Sequence, residues 1–171
     1  MRKFTLPLTL AAVVLALDAL TKALVQDALP LYARVEIVPG FFNLVHVLNK
    51  GAAFGILSDE SIGWQRAFFI VTALVAVGVI MHLIHTGHAR ERFGAWGLGL
   101  VLGGALGNLA DRVRIGYVVD FLDFHAAGWH WPAFNVADIG ITCGVGLLIV
   151  SFYRLERRAG RRPKPAGPEG S

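Results

Sequence analysis

Four long apolar runs, separated by polar segments, dominate the pattern of the chain. They extend over residues 6–25, 64–84, 95–113 and 134–153. A hydrocarbon layer of about 30 Å takes about 20 residues of helix to cross, so each run is long enough for one membrane span. The pattern predicts an all-α polytopic membrane protein, built as a bundle of four transmembrane helices.

The segments between these runs differ from one another. Residues 35–57 alternate partly between polar and apolar positions, are rich in β-branched and aromatic residues, and contain the turn signal Pro39-Gly40. They predict a small antiparallel sheet at the membrane surface. The polar residues 58–63 then indicate a short interfacial helix, and residues 114–133 are interpreted as a short loop between the third and fourth spans.

Basic residues form three clusters beside the runs: Arg2 and Lys3, Arg90 and Arg92, and then Arg154, Arg157, Arg158, Arg161, Arg162 and Lys164. With four spans, all three clusters fall on one side, which the excess of Lys and Arg identifies as cytoplasmic. Both termini are therefore expected in the cytoplasm. The basic start also resembles a signal peptide, but the first run is long and no clear small-x-small cleavage site follows it.

Composition agrees with the membrane class. The 171 residues are 55% hydrophobic, against about 45–50% in soluble domains. The net charge is +4, but the basic clusters lack interleaved aromatic residues, so nucleic acid is not an expected partner. We expect a single membrane domain over residues 1–155 and a disordered basic tail over residues 156–171, which is rich in Pro and Gly.

Two common kinds of chemistry find no support in the sequence. The single cysteine, Cys143, excludes a disulfide within the chain and a cysteine-based metal site, and we expect it to be a small buried residue. The six histidines form no HExxH pattern, and no glycine-rich phosphate loop is present. Neither a metal nor another cofactor is predicted.

The strongest candidates for chemistry are Asp120, just beyond the third run, and Asp138, near the start of the fourth. Carboxylates are costly near hydrocarbon and usually mark a functional site there. Two neighbouring carboxylates share a proton, so that one activates water while the other protonates the leaving group. The residues alone give equal weight to a second interpretation, a pair of solvated interfacial acids.

Several polar residues accompany this pair. Asn135 is three residues before Asp138, so the two share a helix face, and Asn108 and Arg112 are related in the same way at a spacing of four. Each also has a structural interpretation, an interhelical hydrogen bond for Asn108 and an interfacial anchor for Arg112. Asp111 is either a support of the site or the structural partner of a nearby base.

Asp18 and Lys22 lie four residues apart in the first span, with the acid first, which is the favourable order for a helical ion pair. We expect this pair either to pack the bundle or to contact substrate. The small residues that begin with Gly51, after Asn49 at the end of the predicted sheet, permit close approach of a backbone.

Five motifs together resemble the signal peptidase II (lipoprotein signal peptidase) family over almost the whole chain to about residue 153. They are DALTK (18–22), NKGAAFG (49–55), GGALGNLADR (103–112), VVDF (118–121) and FNVAD (134–138). Members are four-span aspartyl proteases of the bacterial inner membrane, with a small extracytoplasmic sheet, the β-cradle, and an interfacial helix. They cut prolipoproteins just before a cysteine that carries diacylglycerol.

The resemblance implies a catalytic dyad of Asp120 and Asp138 at the outer membrane edge. It implies substrate-binding or supporting roles for eight further residues: Asp18, Lys22, Asn49, Gly51, Asn108, Asp111, Arg112 and Asn135. It also implies a monomer surrounded by membrane lipids, a diacylglyceryl prolipoprotein as substrate, and globomycin-type lipopeptides as inhibitors.

Two other functions compete with this prediction. A small transporter or proton-relay subunit also carries acids in its spans, but it predicts acids spread across the membrane depth, whereas most of these lie at one edge. A scaffold that binds lipid through Arg112 and the basic tail is the second alternative.

Overall fold

The computed structural model describes residues 2–51 and 64–160. It contains four long helices: α1 (Arg2–Ala28), α2 (Trp64–Thr86), α3 (Arg92–Arg114) and α4 (Val136–Gly160). A short 3-10 turn, His88–Arg90, joins α2 to α3. All four helices are long and apolar enough to cross a membrane, which confirms the predicted four-helix architecture.

Helix α3 is the centre of the bundle. Of its most apolar stretch 67% is buried, against 28% or less in the other three helices. Glycines make this position possible, because a Cβ at Gly99 or Gly103 would lie 2.7 Å from a backbone oxygen of α1. A Cβ at Gly97 would meet the Gly144 oxygen of α4 at 2.8 Å. The backbones of α1 and α4 therefore pack directly against α3 on two sides, a close approach that small residues allow in membranes.

A four-stranded antiparallel sheet covers one end of the bundle. Its strands are β1 (Arg34–Val38), β2 (Phe42–Asn49), β3 (Val118–Ala126) and β4 (Trp129–His130), and they neighbour one another in chain order. The first two confirm the predicted antiparallel sheet. The interpretation of residues 114–133 as a loop is wrong, because most of this segment forms β3 and β4.

Strand β3 was missed because its two acids, three residues apart, do not give the alternating pattern of a strand. Its sequence is VVDFLDFHA, whose β-branched and aromatic residues are nevertheless favoured in strands. It pairs with β2 over Phe42–Asn49, and Asp120 lies opposite Val47. The position of Asp120 is therefore fixed by the sheet and not by a flexible loop.

Two other details differ from the sequence-based expectations. Helix α4 begins at Val136 and continues to Gly160, so residues 156–160 of the predicted tail are helical. Cys143 is exposed on α4, so the expectation that it is buried is wrong. Residues 52–63, which include the rest of the predicted β-cradle and the predicted interfacial helix, lie outside the described residues, as does the tail beyond residue 160.

The start of α1 and the end of α4 lie at the same end of the bundle. The Phe4 ring of α1 lies 6.4 Å from the ring of His85 in the last turn of α2. The His88 ring, in the turn after α2, lies 6.3 Å from the ring of Phe152 in α4. The sheet lies at the opposite end, as an even number of spans requires.

Replacement of Gly103 by alanine tests the close packing of α3. The new Cβ would lie 2.7 Å from both the Ala11 oxygen and the Val14 Cβ. We expect a loss of about 1–3 kcal/mol, the usual result of overpacking. Thermal unfolding in detergent measures it. Gly78→Ala is the matched control, because a Cβ there meets no atom within 4 Å. Equal stability of the two variants would contradict the close contact.

Candidate active site

The two candidate acids are brought together by the segment that precedes α4. The amide groups of Phe121 and Leu122 in β3 donate hydrogen bonds to the oxygen of Phe134, at 3.0 and 2.9 Å. The Phe134 amide donates in return to the Leu122 oxygen, at 3.1 Å. These bonds fix the first turn of α4, which carries Asp138, against the part of β3 that carries Asp120.

Asn135 connects both acids. It precedes α4, and its Oδ1 accepts a hydrogen bond from the Asp138 amide at 3.0 Å, while Asp138 Oδ2 accepts one from the Asn135 amide at 3.3 Å. This reciprocal arrangement is a capping box. The nitrogen of the same side-chain amide, Asn135 Nδ2, donates to Asp120 Oδ1 at 2.6 Å. The fully buried Asn135 thus links the dyad through a helix cap.

Asn49, at the end of β2, contacts the other oxygen of Asp120. Its Nδ2 donates to Asp120 Oδ2 at 2.8 Å, and its Oδ1 accepts from the Gly51 amide at 2.7 Å. Gly51 has a φ of 92°, in the left-handed region that favours glycine. Gly51 therefore acts through its backbone, because its amide group orients the Asn49 side chain.

Asn108, on α3, makes the corresponding contact to Asp138. Its Nδ2 donates to Asp138 Oδ1 at 2.8 Å, and its Oδ1 accepts from the Lys22 ammonium at 3.3 Å. The ammonium is only a donor, as are the backbone amide groups that face Asn49 and Asn135. Each of the three amide side chains is therefore oriented by a donor, with its own N–H groups directed at the acids.

Lys22 lies at the centre of a buried ion cluster. Its ammonium is 2.7 Å from Asp18 Oδ2 and 2.8 Å from Asp111 Oδ2. Asp18 Oδ1 also accepts from the Ala137 amide at 2.9 Å, and Asp111 Oδ2 accepts from the Val119 amide at 3.2 Å. Ala137 and Val119 immediately precede the two candidate acids. The cluster therefore holds both acids by the adjacent backbone.

Gly107 provides the space for Asp18. A Cβ at this position would lie 2.5 Å from Asp18 Oδ2 and 3.1 Å from its Cγ. The carboxylate of α1 therefore reaches the start of α4 across the surface of α3 only because residue 107 has no side chain.

Arg112 lies beside this network. Its guanidinium is 5.0 Å from the centre of the Phe69 ring, and its Nη1 donates to the Asn108 oxygen at 3.3 Å. The negative charges of Asp138 and Asp120 both favour the charged form of this guanidinium. It is thus a cation close to both candidate acids and held by an aromatic ring of α2.

The structure brings all ten sequence-predicted residues into one region, and it resolves Asp111 as the partner of Lys22. Sequence reasoning missed Arg66, whose Nε and Nη2 donate to the oxygens of Arg112 and Val113 at 3.0 and 2.7 Å. Arg66 thereby ties α2 to the end of α3. The only available signal was a lone base near the start of the second apolar run.

The surroundings of the two acids differ. Burial and the charge of Asp138 raise the pKa of Asp120 from 3.8, the hydrogen bonds from Asn49 and Asn135 oppose the rise, and the result is a pKa of about 7. Asp138 is only half-buried and lies in the first turn of α4. Near neutral pH the Asp120 carboxyl group is therefore able to hold a proton.

A cavity of 270 Å³ adjoins Asp138 on the outer surface of α4. Its lining is mostly apolar and consists of Trp131, Phe134, Asp138, Ile139, Thr142 and Cys143. The carboxylate stands at its edge, so an apolar group that occupies the cavity lies beside the dyad.

Comparison with known proteins identifies the arrangement. Residues 10–154 match the family described as Signal peptidase (SPase) II. The chain belongs to the signal peptidase II family. It is therefore a membrane protease of the aspartic type, and the transporter alternative is not favoured.

Individual relatives agree over nearly the full length. The lipoprotein signal peptidase of Maridesulfovibrio salexigens is 49% identical over 154 residues, which is 90% of this chain and 99% of the relative. That of an Azoarcus species is 48% identical and covers 95% of this chain and 88% of the relative. A bacterial membrane enzyme solved at 2.3 Å by the in meso method superposes with a TM-score of 0.78, at 30% identity and 94% coverage of both chains.

The raised pKa of Asp120 has a consequence for stability. The native state holds this proton up to about pH 7, whereas the unfolded chain releases it near 3.8, so the native state binds more protons between these values. The contribution of Asp120 to the free energy of unfolding therefore falls as pH rises from about 4 to 7. We expect the melting temperature of Asp120→Asn to depend less on pH across this window than that of the parent protein.

Asp123→Asn is the matched control for this experiment, because Asp123 is buried on the same strand but its pKa is lowered, by the Asn43 hydrogen bond, His130 and Arg34. Its stabilising contribution is lost only as pH falls below the ordinary value of 3.8, so Asp123→Asn should keep the parental slope between pH 5 and 7. The same slope in the Asp120→Asn variant and the parent would refute the assigned shift.

Proposed function

We propose that the chain removes signal peptides from diacylglyceryl-modified prolipoproteins, cutting just before the lipidated cysteine, with Asp120 and Asp138 as the catalytic dyad. The observation that carries the proposal is the pair of neighbouring carboxylates, each held by an oriented amide, with the pKa of Asp120 raised by burial. The names of the relatives, lipoprotein signal peptidases, support the class of substrate.

In the proposed mechanism Asp138, the ionised member, removes a proton from a water that attacks the scissile carbonyl carbon. Asp120 holds the proton of the pair and donates a hydrogen bond to the carbonyl oxygen, where negative charge develops. The tetrahedral intermediate then collapses, the C–N bond breaks, and the departing amine of the cysteine takes a proton from the dyad. Atoms and charge balance without a metal or another cofactor.

The proposed substrate fits the position of the site. The signal peptide is an apolar helix that lies in the bilayer, and the sheet end of the bundle stands at the membrane edge. The apolar cavity beside Asp138 is open to an acyl chain or an apolar side chain next to the scissile bond. Arg112 is placed to attract a polar or anionic group that approaches the dyad.

The finer assignments are part of the same proposal. The remaining polar residues are supports: Asp18, Lys22, Asn49, Gly51, Asn108, Asp111, Arg112 and Asn135. We propose a monomer in the bacterial inner membrane, with both termini in the cytoplasm and the dyad at the outer edge. Globomycin-type lipopeptides are proposed to inhibit it by occupying the space between the two acids.

Substitution of either acid tests the dyad. Asp120→Asn and Asp138→Asn each remove a proton-transfer group, so we expect cleavage of a purified lipidated prolipoprotein to fall at least about 10²–10⁴-fold. Globomycin should block cleavage by the parent protein. Asp123→Asn, a change of the same chemistry at a buried acid of β3, should retain activity. Normal cleavage by either dyad variant would remove that residue from the mechanism.

Cysteine labelling tests the orientation. In a Cys143→Ser background, Trp129→Cys adds an exposed thiol at the sheet end, and Glu156→Cys adds one near the end of α4. A membrane-impermeant maleimide should label the first variant in spheroplasts and the second only after the inner membrane is permeabilised. The reverse pattern would invert the proposed topology and leave the family unchanged.

A further inference from the structure

A second cavity lies at the end of the bundle opposite the dyad. It has a volume of 440 Å³, within the range of small-ligand sites. It opens between the end of α2, the 3-10 turn and the last turns of α4, and its lining consists of Thr86, Gly87, His88, Glu91, Leu155 and Arg158. None of these residues takes part in the proposed mechanism.

Helix geometry sets the depth of this cavity in the membrane. Arg158 follows Asp138 by 20 residues on the same helix, α4. At 1.5 Å per residue, the two side chains are about 30 Å apart along the axis. Because the hydrocarbon layer is also about 30 Å thick and Asp138 lies at one edge, the cavity lies at the headgroup level of the opposite leaflet. The exposed Phe152 and Leu155 continue from it toward the hydrocarbon.

The cavity contains a fixed anion. Glu91 Oε2 accepts hydrogen bonds from the Ser151 hydroxyl at 2.8 Å and from the Gly94 amide at 3.0 Å. Ser151 is buried, so the carboxylate is anchored to α4 and α3 at once. Burial is the largest single effect on Glu91 and raises its pKa, but the hydrogen bonds from Ser151, Gly94 and Phe93 and the charge of Arg154 together outweigh it. The pKa of Glu91 is therefore lowered, and the carboxylate is ionised at neutral pH.

The cavity also contains a cation that is not otherwise engaged. Arg154 and Arg157 of the same helix lie over the rings of Phe93 and Tyr153, at 4.6 and 5.4 Å. Arg158, in contrast, makes no hydrogen bond or ion pair with any residue of 2–51 or 64–160. A guanidinium binds phosphate through paired N–H donors.

We propose that this cavity binds the phosphoethanolamine headgroup of a phospholipid from the leaflet opposite the dyad. The phosphate lies against the Arg158 guanidinium, and the ammonium group lies against the Glu91 carboxylate. A purely anionic headgroup would satisfy Arg158 but face the charge of Glu91. A choline headgroup has no N–H donor for that carboxylate. This inference rests on the proposed position of Asp138 at a membrane edge, but not on the proposed reaction.

Native mass spectrometry of the protein released from detergent micelles tests the proposal. The micelles contain phosphatidylethanolamine, phosphatidylglycerol and phosphatidylcholine, all with the same acyl chains. We expect phosphatidylethanolamine to be retained preferentially, and Arg158→Gln to lower its retention about tenfold, the effect of one charged hydrogen bond. Arg157→Gln, which removes the same charge from the neighbouring position, should have little effect.

A second variant separates the two halves of the site. Glu91→Gln keeps an oxygen that accepts from Ser151 and Gly94 but removes the negative charge. We expect it to abolish the preference for ethanolamine over glycerol headgroups. All three variants should cleave substrate normally in detergent, because the cavity is about 30 Å from the dyad. A chain that ends at Gly160 should keep the preference.

Four results would overturn the proposal. Equal losses in the Arg157 and Arg158 variants would indicate general attraction between a basic surface and lipid. Preferential retention of phosphatidylglycerol, or of phosphatidylcholine, by the parent protein would exclude a hydrogen-bonding ammonium group beside Glu91. An unchanged preference in Glu91→Gln would do the same. Loss of the preference on removal of residues 161–171 would assign lipid binding to those residues.

Discussion

The Lys22 ammonium, held between Asp18 and Asp111, is the interaction on which the rest of the site depends. Each of these carboxylates accepts a hydrogen bond from the backbone amide just before a candidate acid, at Ala137 and Val119. The ammonium also orients the Asn108 amide toward Asp138. One buried cation therefore sets the position of two backbone segments and the orientation of the Asn108 side-chain amide.

Burial of these charges has a large desolvation cost, which attraction between the ions offsets only when their remaining hydrogen bonds are satisfied. Here the backbone amide groups of α4 and β3 provide those bonds, and Gly107 provides the space in which Asp18 reaches them. A cluster of this kind is a weak source of net stability. Its benefit is specificity, because an ammonium with three acceptors and two anchored backbones permits few alternative arrangements.

The sequence predicts those features of the site that depend on local spacing. Four apolar runs predict four helices, and a spacing of four predicts the Asp18–Lys22 pair. Strand β3 and the amide orientations were not predictable from spacing, because they depend on distant partners: Asn49 and Asp120 are 71 residues apart, and Lys22 and Asn108 are 86 apart. For the same reason Arg66 was missed, since its acceptors belong to another helix.

The unequal burial of the two candidate acids follows from the same contacts. Burial of Asp120 against the start of α4 removes water from one acid, while Asp138 stays half-exposed beside an apolar cavity. Two identical side chains therefore have unlike surroundings, and burial raises the pKa of one of them, Asp120. The proposed mechanism uses this difference, because it needs one carboxyl group that holds a proton and one that accepts a proton from water.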